Sequence, residues 1–219
     1  MEIPELYRKY LISKKVSTDT RQIIPGSIFF ALKGDKFNAN AFAGEALDKG
    51  ATFAVIDEEN QRKDDRFILV DNVLESLQRL ARYHRDQFHI PFLALTGSNG
   101  KTTSKELLHA VLSRKFRTLA TKGNLNNHIG VPLTILSVDE STEIAVIEMG
   151  ANHVNEIALL CTIADPTHGF ITNIGRAHIG TFGGFDQIVS AKSELFHHLI
   201  SRNGQVFINS LHPALVKMS

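Results

Sequence analysis

The sequence predicts an α/β fold in two parts: a small N-terminal α/β domain over residues 1–88, and a P-loop, doubly wound, mostly parallel sheet domain over residues 89–219. Short apolar runs alternate with helical patterns from Ser27 onward, which is typical of parallel sheets covered by helices. A helical pattern that stops before Pro91 marks the boundary. A glycine-rich turn at residues 96–103 joins a strand to a helix in the second part.

Composition limits the class of protein. Of 219 residues, 43% are hydrophobic and 21% are charged, which excludes wholesale disorder. The formal net charge of +1 gives no basic footprint and argues against nucleic acid as a partner. The single cysteine, Cys161, fits a reducing compartment. Neither a signal peptide nor an apolar run of about 18 residues is present, so we expect a cytoplasmic monomer without membrane insertion.

The elements of the N-terminal part follow from local patterns. The apolar runs that predict buried strands lie at residues 28–32, 52–56 and 67–70. A helix is predicted over residues 41–49 and ends at Gly50, because glycine accepts a left-handed conformation. The charged stretch 57–66 is interpreted as a solvated loop. Apolar residues at helical spacing predict a helix over residues 73–88 that Pro91 terminates.

The second part has the same alternation. Its predicted strands lie at residues 92–95, 117–120, 144–147, 169–172 and 205–208. Its predicted helices lie at residues 102–116, 155–163 and 185–200. A doubly wound domain that begins near residue 91 normally continues beyond such a last strand. We therefore expect the chain to be a truncated fragment.

The strongest chemical signal is the stretch Thr96–Thr103. A glycine-rich turn between a strand and a helix brings backbone N–H groups and the helix dipole around phosphate. Lys101 is expected to reach the phosphates, and the Thr102 hydroxyl to hold Mg²⁺. The general P-loop pattern needs a glycine where this chain has Leu95. The alternative is a glycine turn that caps an ordinary helix, and nucleotide binding is favoured over it.

An acidic residue follows one of the buried strands. The apolar run 144–147 ends in Glu148, and the carboxyl ends of strands form the edge where open α/β sheets bind ligands. Glu148 is therefore a candidate metal ligand for the P-loop. A solvated acid that opens a turn explains the same pattern equally well, and both interpretations stay open.

Lys192 and His178 are weaker candidates. Lys192 lies in the middle of the apolar stripe of the helix over residues 185–200. A buried lysine must extend to solvent, pair with a carboxylate or lose its charge. Extension to solvent is the common outcome, and the functional alternative is that Lys192 faces the metal–phosphate site. His178 follows the strand 169–172 and is singled out only by the resemblance below.

Five segments in order resemble the Mur ligase family, the ATP-dependent amide ligases of peptidoglycan precursor assembly. They are residues 96–103, 123–132, 148–152, 171–178 and 191–195. The Glu-Met-Gly-Ala form of the acidic motif resembles the members that add D-alanyl-D-alanine. Asp19–Arg21 and residues 25–34 are similar to the UDP-sugar-binding segment, although Thr20 and Arg21 alone are more typical of a plain turn. Where many relatives carry Asp-Gly-His, this chain has Asn38-Ala39-Asn40.

The resemblance assigns roles to single positions. It implies ATP contacts from Gly97, Ser98, Asn99, Gly100, Lys101, Thr102, Thr103, Asn126 and Asn127. It implies Mg²⁺ ligands at Thr102, Glu148, His178 and Lys192, the lysine being carbamylated in several relatives. It implies catalytic roles for Lys101, His178 and Lys192. It implies contacts to the UDP-linked substrate from Thr20, Arg21, Asn38 and Asn40.

The implied reaction uses ATP and Mg²⁺ to join UDP-N-acetylmuramoyl-tripeptide to D-alanyl-D-alanine through an acyl phosphate. The family's third, C-terminal domain is absent from this sequence, so the fragment is expected to be inactive alone. One alternative is another ligase of this architecture, which adds a diamino acid or polyglutamylates folate. A second is a non-catalytic module that binds a nucleotide or a UDP-sugar. A P-loop kinase is disfavoured, because the residues before Pro91 resemble a substrate domain of the ligase type.

Overall fold

The computed structural model describes residues 1–175 and 184–218. Contacts between Cα atoms divide the chain into two compact units, Met1–Gln87 and Phe88–Ser219. Each unit is built around parallel strands, so the predicted α/β class is confirmed. None of the helices in the described part of the chain combines the length and apolar character that a membrane span requires.

The first unit contains a four-stranded parallel sheet in the order β1-β2-β5-β6 and a small antiparallel pair, β3-β4. In chain order its elements are α1 Ile3–Ser13, β1 Val16–Ser17, β2 Ile28–Phe30, β3 Lys33–Gly34, β4 Phe37–Asn38, α2 Ala43–Asp48, β5 Phe53–Ile56, β6 Phe67–Leu69 and α3 Val73–Arg85. The three predicted strands are confirmed to within two residues at each end.

The helices of this unit differ from the sequence expectation in two places. Helix α1 was not predicted from the apolar pattern; Pro4 stands in its first turn, where the missing N–H costs nothing. Helix α3 begins at the N-cap Asn72, whose side chain accepts the Glu75 N–H, and ends at Arg85, well before Pro91. Pro91 is therefore not the residue that ends it.

The charged stretch 57–66 is more than a solvated loop, because Asp57 anchors it to the core. The Asn40 amide donates from Nδ2 to Asp57 Oδ1 at 2.8 Å, and its Oδ1 accepts the Asp57 N–H at 3.0 Å. Burial alone would raise the pKa of Asp57, but hydrogen bonds from Lys33, Asn40 and the Val73 N–H lower it. Asn40 itself has no exposed surface.

We expect Asn40→Ala to lower the free energy of unfolding of this chain by about 1–3 kcal/mol, because the partly buried Asp57 loses both the amide donor and the acceptor that the buried Asn40 supplies. Urea unfolding followed by circular dichroism measures the change. Asn60→Ala, at an exposed position on the same stretch, is the matched control and should be close to neutral. Equal effects of the two substitutions would contradict the anchoring role.

The second unit is a five-stranded, fully parallel sheet in the order β11-β10-β7-β9-β8. Its elements are β7 Phe92–Thr96, α4 Lys101–Leu112, β8 Thr118–Ala120, α5 Gly130–Ile135, β9 Ile144–Glu148, α6 Glu156–Ala164, β10 His168–Ile171, α7 Phe185–Ser201, β11 Gln205–Phe207 and α8 Pro213–Val216. The five predicted strands are confirmed, whereas α4 stops at Leu112 rather than at residue 116. Helices α5 and α8 were not predicted, because each is too short to show an apolar period.

The strand order fixes where a ligand can bind. Strand β7 is flanked by β9 on one side and β10 on the other, and the chain crosses to opposite sides of β7 along its course. Open parallel sheets bind ligands at such a switch point, beyond the carboxyl ends of the strands. In this unit, that edge carries the loop after β7, Glu148 at the end of β9, and residues 172–175 after β10.

Candidate functional site

The loop between β7 and α4 has a backbone that only glycine satisfies. Gly97 has a φ of +148°, and a Cβ at this position would overlap the Thr172 hydroxyl oxygen. Gly100 has a φ of +74° and forms the N-cap of α4. The first turn of α4 therefore points its amide groups toward the carboxyl edge of the sheet, as a phosphate-binding loop requires.

Residues after β10 hold this loop in place. Asn173 accepts the Ser98 N–H at 3.0 Å through its carbonyl and the Asn99 N–H at 3.2 Å through Oδ1. The Gly175 N–H donates to Ser98 Oγ at 2.9 Å. In this structure the amides of Ser98 and Asn99 are thus engaged by protein acceptors, and their expected contacts to ATP stay a prediction. The sequence pattern missed Asn173 and Gly175, although a polar run directly after a buried strand is a usable signal.

Lys101 is half-buried at the start of α4. Its Nζ donates to the Gly97 carbonyl at 2.8 Å, so the side chain folds back over the loop. Burial lowers the pKa of Lys101, while the nearby Glu148 opposes that shift. The ammonium group therefore lies beside the loop that would surround a phosphate. Thr103, in the same turn, is exposed.

Glu148 is completely buried at the end of β9. Its Oε1 accepts hydrogen bonds from the Thr102 hydroxyl at 3.2 Å and from the Asn126 amide at 2.8 Å. Its backbone N–H donates to Thr121 Oγ1 at 3.0 Å. Within the described residues, Glu148 Oε2 has no hydrogen-bond partner although it is buried. The burial excludes the solvated-turn interpretation.

This arrangement fits a magnesium ion. A buried carboxylate oxygen without a donor is costly unless a cation or donor meets it. The oxygen belongs to a carboxylate beside a threonine hydroxyl, and hard oxygen ligands are those that Mg²⁺ prefers. Over residues 1–175 and 184–218, no three His, Cys, Asp or Glu side chains are grouped closely enough to form a metal site by themselves. The predicted ligand His178 lies outside the described residues.

The two asparagines expected to contact nucleotide are both bonded to protein atoms. Besides its amide contact to Glu148, Asn126 accepts the Gly150 N–H at 2.8 Å through its carbonyl oxygen. Asn127 Oδ1 accepts the Gly130 N–H at 2.8 Å and the Ile129 N–H at 3.1 Å, which caps helix α5. Asn126 thus orients the acidic residue, and Asn127 shapes the loop.

Lys192 lies inward on α7, with only 2% of its surface exposed. The extension to solvent that lysines usually adopt is therefore excluded. Burial first, and then the positive charge of Lys101, lower the pKa of Lys192 to about 8 against the opposing charges of Glu156 and Glu194. Glu194 also accepts the N–H groups of Asn155 and Ala158 at the start of α6.

One cavity of about 510 Å³ lies between the loop after β7, the loop before α5, the start of α6 and Lys192. Its lining residues are Gly97, Ser98, Lys101, Asn124, Asn126, Asn127, His128, Gly150, Ala151, Asn152, Glu156, Leu159, Leu160 and Lys192. Two lysines and several amides in one polar cavity suit a phosphorylated or carboxylated ligand. Asn152 and Glu156 in this cavity were not singled out from the sequence.

The first unit has its own cavity, of about 660 Å³, at the turn that contains Thr20 and Arg21. The Arg21 side chain is 86% exposed, and Asp19 holds it through a two-pronged hydrogen bond, with Nη2 to Oδ2 at 2.6 Å. The same contact lowers the pKa of Asp19 to about 2. Phe37 and Phe42 line this cavity, and their rings stack with centroids 5.7 Å apart.

The two asparagines predicted for the substrate do not line that cavity. Asn38 donates from Nδ2 to Glu58 Oε1 at 2.9 Å and accepts the Asn40 N–H. Asn40 is the buried anchor of Asp57 described above. In this structure both side chains therefore organise the turn, and their assignment as substrate contacts stays a prediction. The exposed phenylalanine pair was missed, because aromatic residues in a short sequence run are usually interpreted as core.

Known proteins resemble this chain in sequence and in structure. Residues 95–218 match the Mur ligase middle domain family. The chain is 41% identical over 186 residues to the UDP-N-acetylmuramoyl-tripeptide--D-alanyl-D-alanine ligase of Bacillus subtilis (strain 168), a match that covers 84% of this chain and 41% of that protein. A crystal structure of MurF from Acinetobacter baumannii has a TM-score of 0.85 at 37% identity over 94% of this chain and 45% of that one. MurF from Thermotoga maritima in complex with ADP has a TM-score of 0.78 at 35% identity over 86% of this chain and 44% of that one.

The chain spans less than half the length of each of these relatives. The family match nevertheless covers more than half of this chain, from β7 to its last helix. It includes the loop of Gly97 and the inward Lys192, which line one cavity, and the Glu148 carboxylate, which accepts a hydrogen bond from Thr102 at the start of α4. The chain belongs to the Mur ligase family.

Proposed function

We propose that this chain supplies the substrate-binding and nucleotide-binding parts of an ATP-dependent ligase that joins D-alanyl-D-alanine to UDP-N-acetylmuramoyl-tripeptide in peptidoglycan precursor synthesis. The observation that carries the proposal is the buried Glu148 carboxylate, which accepts a hydrogen bond from Thr102 at the P-loop and, among the residues that the structure describes, has one oxygen without a donor. The names of the relatives supply the substrates. We further propose that the protein works in the cytoplasm as a monomer.

The second unit would bind ATP. With Ser98 and Asn99 engaged by Asn173, phosphate recognition falls to the amides at the start of α4 and to Lys101, once its Nζ leaves the Gly97 carbonyl. Thr102 and Glu148 would hold Mg²⁺, which neutralises charge on the phosphates when it is bound.

The proposed reaction has two steps. An oxygen of the free tripeptide carboxylate attacks the γ-phosphorus of ATP, and ADP leaves. The amine of D-alanyl-D-alanine then attacks the acyl carbon, loses a proton and displaces phosphate. The first step brings the negatively charged carboxylate and phosphates together in the cavity that Lys101 and Lys192 line. Stabilising that charge and positioning the carboxylate are the main tasks of the protein in such a transfer.

The first unit would bind the UDP-linked substrate. Arg21 projects from its turn with its guanidinium group held by Asp19, an arrangement suited to a phosphate oxygen. The stacked rings of Phe37 and Phe42 offer an apolar wall in the same cavity. A planar base next to a diphosphate matches both features.

The proposal is tested by titrating the 219-residue chain in a calorimeter with ADP plus Mg²⁺ and, separately, with UDP-N-acetylmuramoyl-tripeptide. Two independent sites are expected. Failure of the chain to bind either one of the two ligands would overturn the proposal. Comparing D-alanyl-D-alanine with a diamino acid or glutamate, in a full-length ligase that carries this sequence, separates this ligase from other members of its family.

Arg21→Ala should weaken binding of the UDP-linked substrate by roughly 10-fold, because one charge-assisted contact to phosphate is lost. The affinity for ADP should not change. Arg66 is the matched control: it forms the same fork with Asp64, at 2.7 Å, but does not line the cavity. Arg66→Ala should therefore change neither affinity. If Arg21→Ala also has no effect, Arg21 belongs to an ordinary turn.

A further inference from the structure

Lys105, on the helix that follows the P-loop, is a lysine whose side chain has no exposed surface. Its Nζ lies 3.2 Å from the Gly123 carbonyl oxygen, to which it donates, and 2.9 Å from Glu106 Oε1. Glu106 is itself largely exposed. Removing an ammonium group from water is unfavourable, and one contact to an exposed carboxylate offsets little of that free energy. The contact to Gly123 is therefore the one that indicates why the lysine is buried here.

Gly123 lies in the middle of a segment that contacts the acidic residue at both ends. At one end, Thr121 Oγ1 accepts the backbone N–H of Glu148 at 3.0 Å. At the other end, the Asn126 amide donates to Glu148 Oε1 at 2.8 Å. Gly123 has a φ of +54°, so the chain turns sharply between these two contacts. The Lys105 contact fastens this turn to α4.

The far end of the segment is fixed separately. The Gly150 N–H donates to the Asn126 carbonyl oxygen at 2.8 Å. A Cβ at Gly150 would lie 2.8 Å from Asn126 Oδ1, so the asparagine side chain has little room for another position. Gly150 thus fixes Asn126 from the sheet side, and Lys105 fixes the turn from the helix side.

We propose that Lys105 is a positioning residue for the magnesium site. By holding the Gly123 carbonyl, it keeps the Asn126 amide on Glu148 Oε1 and leaves Oε2 for the metal. Without that contact, the turn is free to relax and Asn126 no longer specifies which carboxylate oxygen is available. The inference rests on the proposed nucleotide and Mg²⁺ binding of this unit, and it gives a buried lysine outside the ligand cavity a defined task.

The test measures how Mg²⁺ strengthens ADP binding to the 219-residue chain, by calorimetry over a series of Mg²⁺ concentrations. Lys105→Met keeps the length of the side chain and removes its donor and charge. The Mg²⁺ concentration for half-maximal effect should rise about 10-fold, since partners of metal ligands typically contribute 10–100-fold to metal affinity. ADP affinity without Mg²⁺ should stay within about twofold. Lys105→Arg, which keeps a charged donor, should recover most of the Mg²⁺ response.

Two matched controls separate the contacts of Lys105. Glu106→Gln removes the ion pair but not the Gly123 contact, and Lys122→Met removes an exposed charge next to Gly123. Both should keep the normal Mg²⁺ response. A larger effect of Glu106→Gln than of Lys105→Met would overturn the inference.

Three other results would also overturn it. These are an unchanged Mg²⁺ response in Lys105→Met, an equal loss of ADP affinity with and without Mg²⁺, and failure of both Lys105→Met and Lys105→Gln to fold. The last result would make Lys105 a folding residue only. Absence of ADP binding by the unsubstituted chain would instead overturn the proposed function, and the inference with it.

Discussion

Lys101→Ala is expected to weaken ADP binding to this chain by roughly 10- to 100-fold, because a hydrogen bond to a charged group contributes about 1.5–3 kcal/mol and each 1.4 kcal/mol is tenfold in affinity. In a full-length ligase with this sequence, ligation should be lost. Lys101 is half-buried at the start of α4, beside the amide groups of the P-loop. Its ammonium group now donates to the Gly97 carbonyl, and phosphate offers it a stronger, charged acceptor.

The affinity for UDP-N-acetylmuramoyl-tripeptide should not change in the same variant, because the cavity of Arg21 is built entirely from the first unit. Lys122→Ala is the control for a lost positive charge and should bind ADP normally. The free energy of unfolding should fall by no more than about 1 kcal/mol, the worth of one hydrogen bond to Gly97. Equal losses of ADP and UDP-substrate affinity in Lys101→Ala would contradict the division of the two ligands between the units.

The parts of this protein that sequence alone predicts are those determined by local physics. The strands β7 and β9 are short apolar runs. Strands of a parallel sheet are buried on both faces, so nearly every residue in them is hydrophobic, and the run can be recognised in the sequence. The loop after β7 needs glycine at positions 97 and 100 for reasons of backbone geometry. The order of strands places Glu148 beside that loop by topology alone.

The partners of the polar side chains were not predictable in this way, because they are distant in sequence. Asn126 meets Glu148 across 22 residues, and Asn99 meets Asn173 across 74. A single sequence contains no record of such pairs. The resemblance predicts a nucleotide contact for Asn126, and only the structure shows that its amide is bonded to the acidic residue.

Lys105 is a different case, because a signal was present. Lys105, Leu108 and Leu112 are spaced by three and four residues, so they share one face of α4. The same spacing singled out Lys192 on α7. A lysine within an apolar stripe thus indicates a buried cation on both helices, although only Lys192 was singled out from the sequence, and the partners of Lys105 came only from the structure.

The buried ammonium group of Lys192 is expected to lower the stability of this protein, although we propose that the residue is needed for function. Lys192→Met keeps the volume of the side chain and removes its charge, so at pH 7 the variant should unfold at a higher temperature than the unsubstituted chain. Burial and the charge of Lys101 disfavour the ammonium form, and Glu156 and Glu194 offset only part of this, which leaves the pKa at about 8. Thermal unfolding of the metal-free chain measures the difference.

The sign of its pH dependence follows from linkage. A lysine in the unfolded chain has a pKa of about 10.4. Between pH 8 and that value the unfolded state binds more protons than the folded state, so stability of the unsubstituted chain rises with pH. Below pH 8 both states are protonated and the cost is complete. The advantage of Lys192→Met should therefore be largest below pH 8 and should shrink above it, whereas Lys122→Met should show no such trend.

We propose that Lys192 reacts with carbon dioxide, because only the neutral amine reacts and the burial of Lys192 beside the cavity favours that form. The neutral amine nitrogen adds to the carbon of CO₂, an N–C bond forms, and the nitrogen releases a proton to solvent. The product is an anionic carbamate in place of a cation, in the cavity that also contains Lys101 and the loop of Asn126. An anionic oxygen there would add to the ligands that Thr102 and Glu148 offer to Mg²⁺.

Lys192→Ala in a full-length ligase with this sequence should therefore lose ligation while it keeps its fold, and added acetate should restore part of the activity. Acetate supplies a carboxylate to the space that the shortened side chain leaves, which a plain ammonium role would not reproduce. Methylammonium is the opposing control: it would restore activity if the function of Lys192 were its positive charge. Near-normal activity of Lys192→Ala without any addition would contradict a role of Lys192 in ligation. Lys192 would then be a buried lysine that lowers stability without contributing to function.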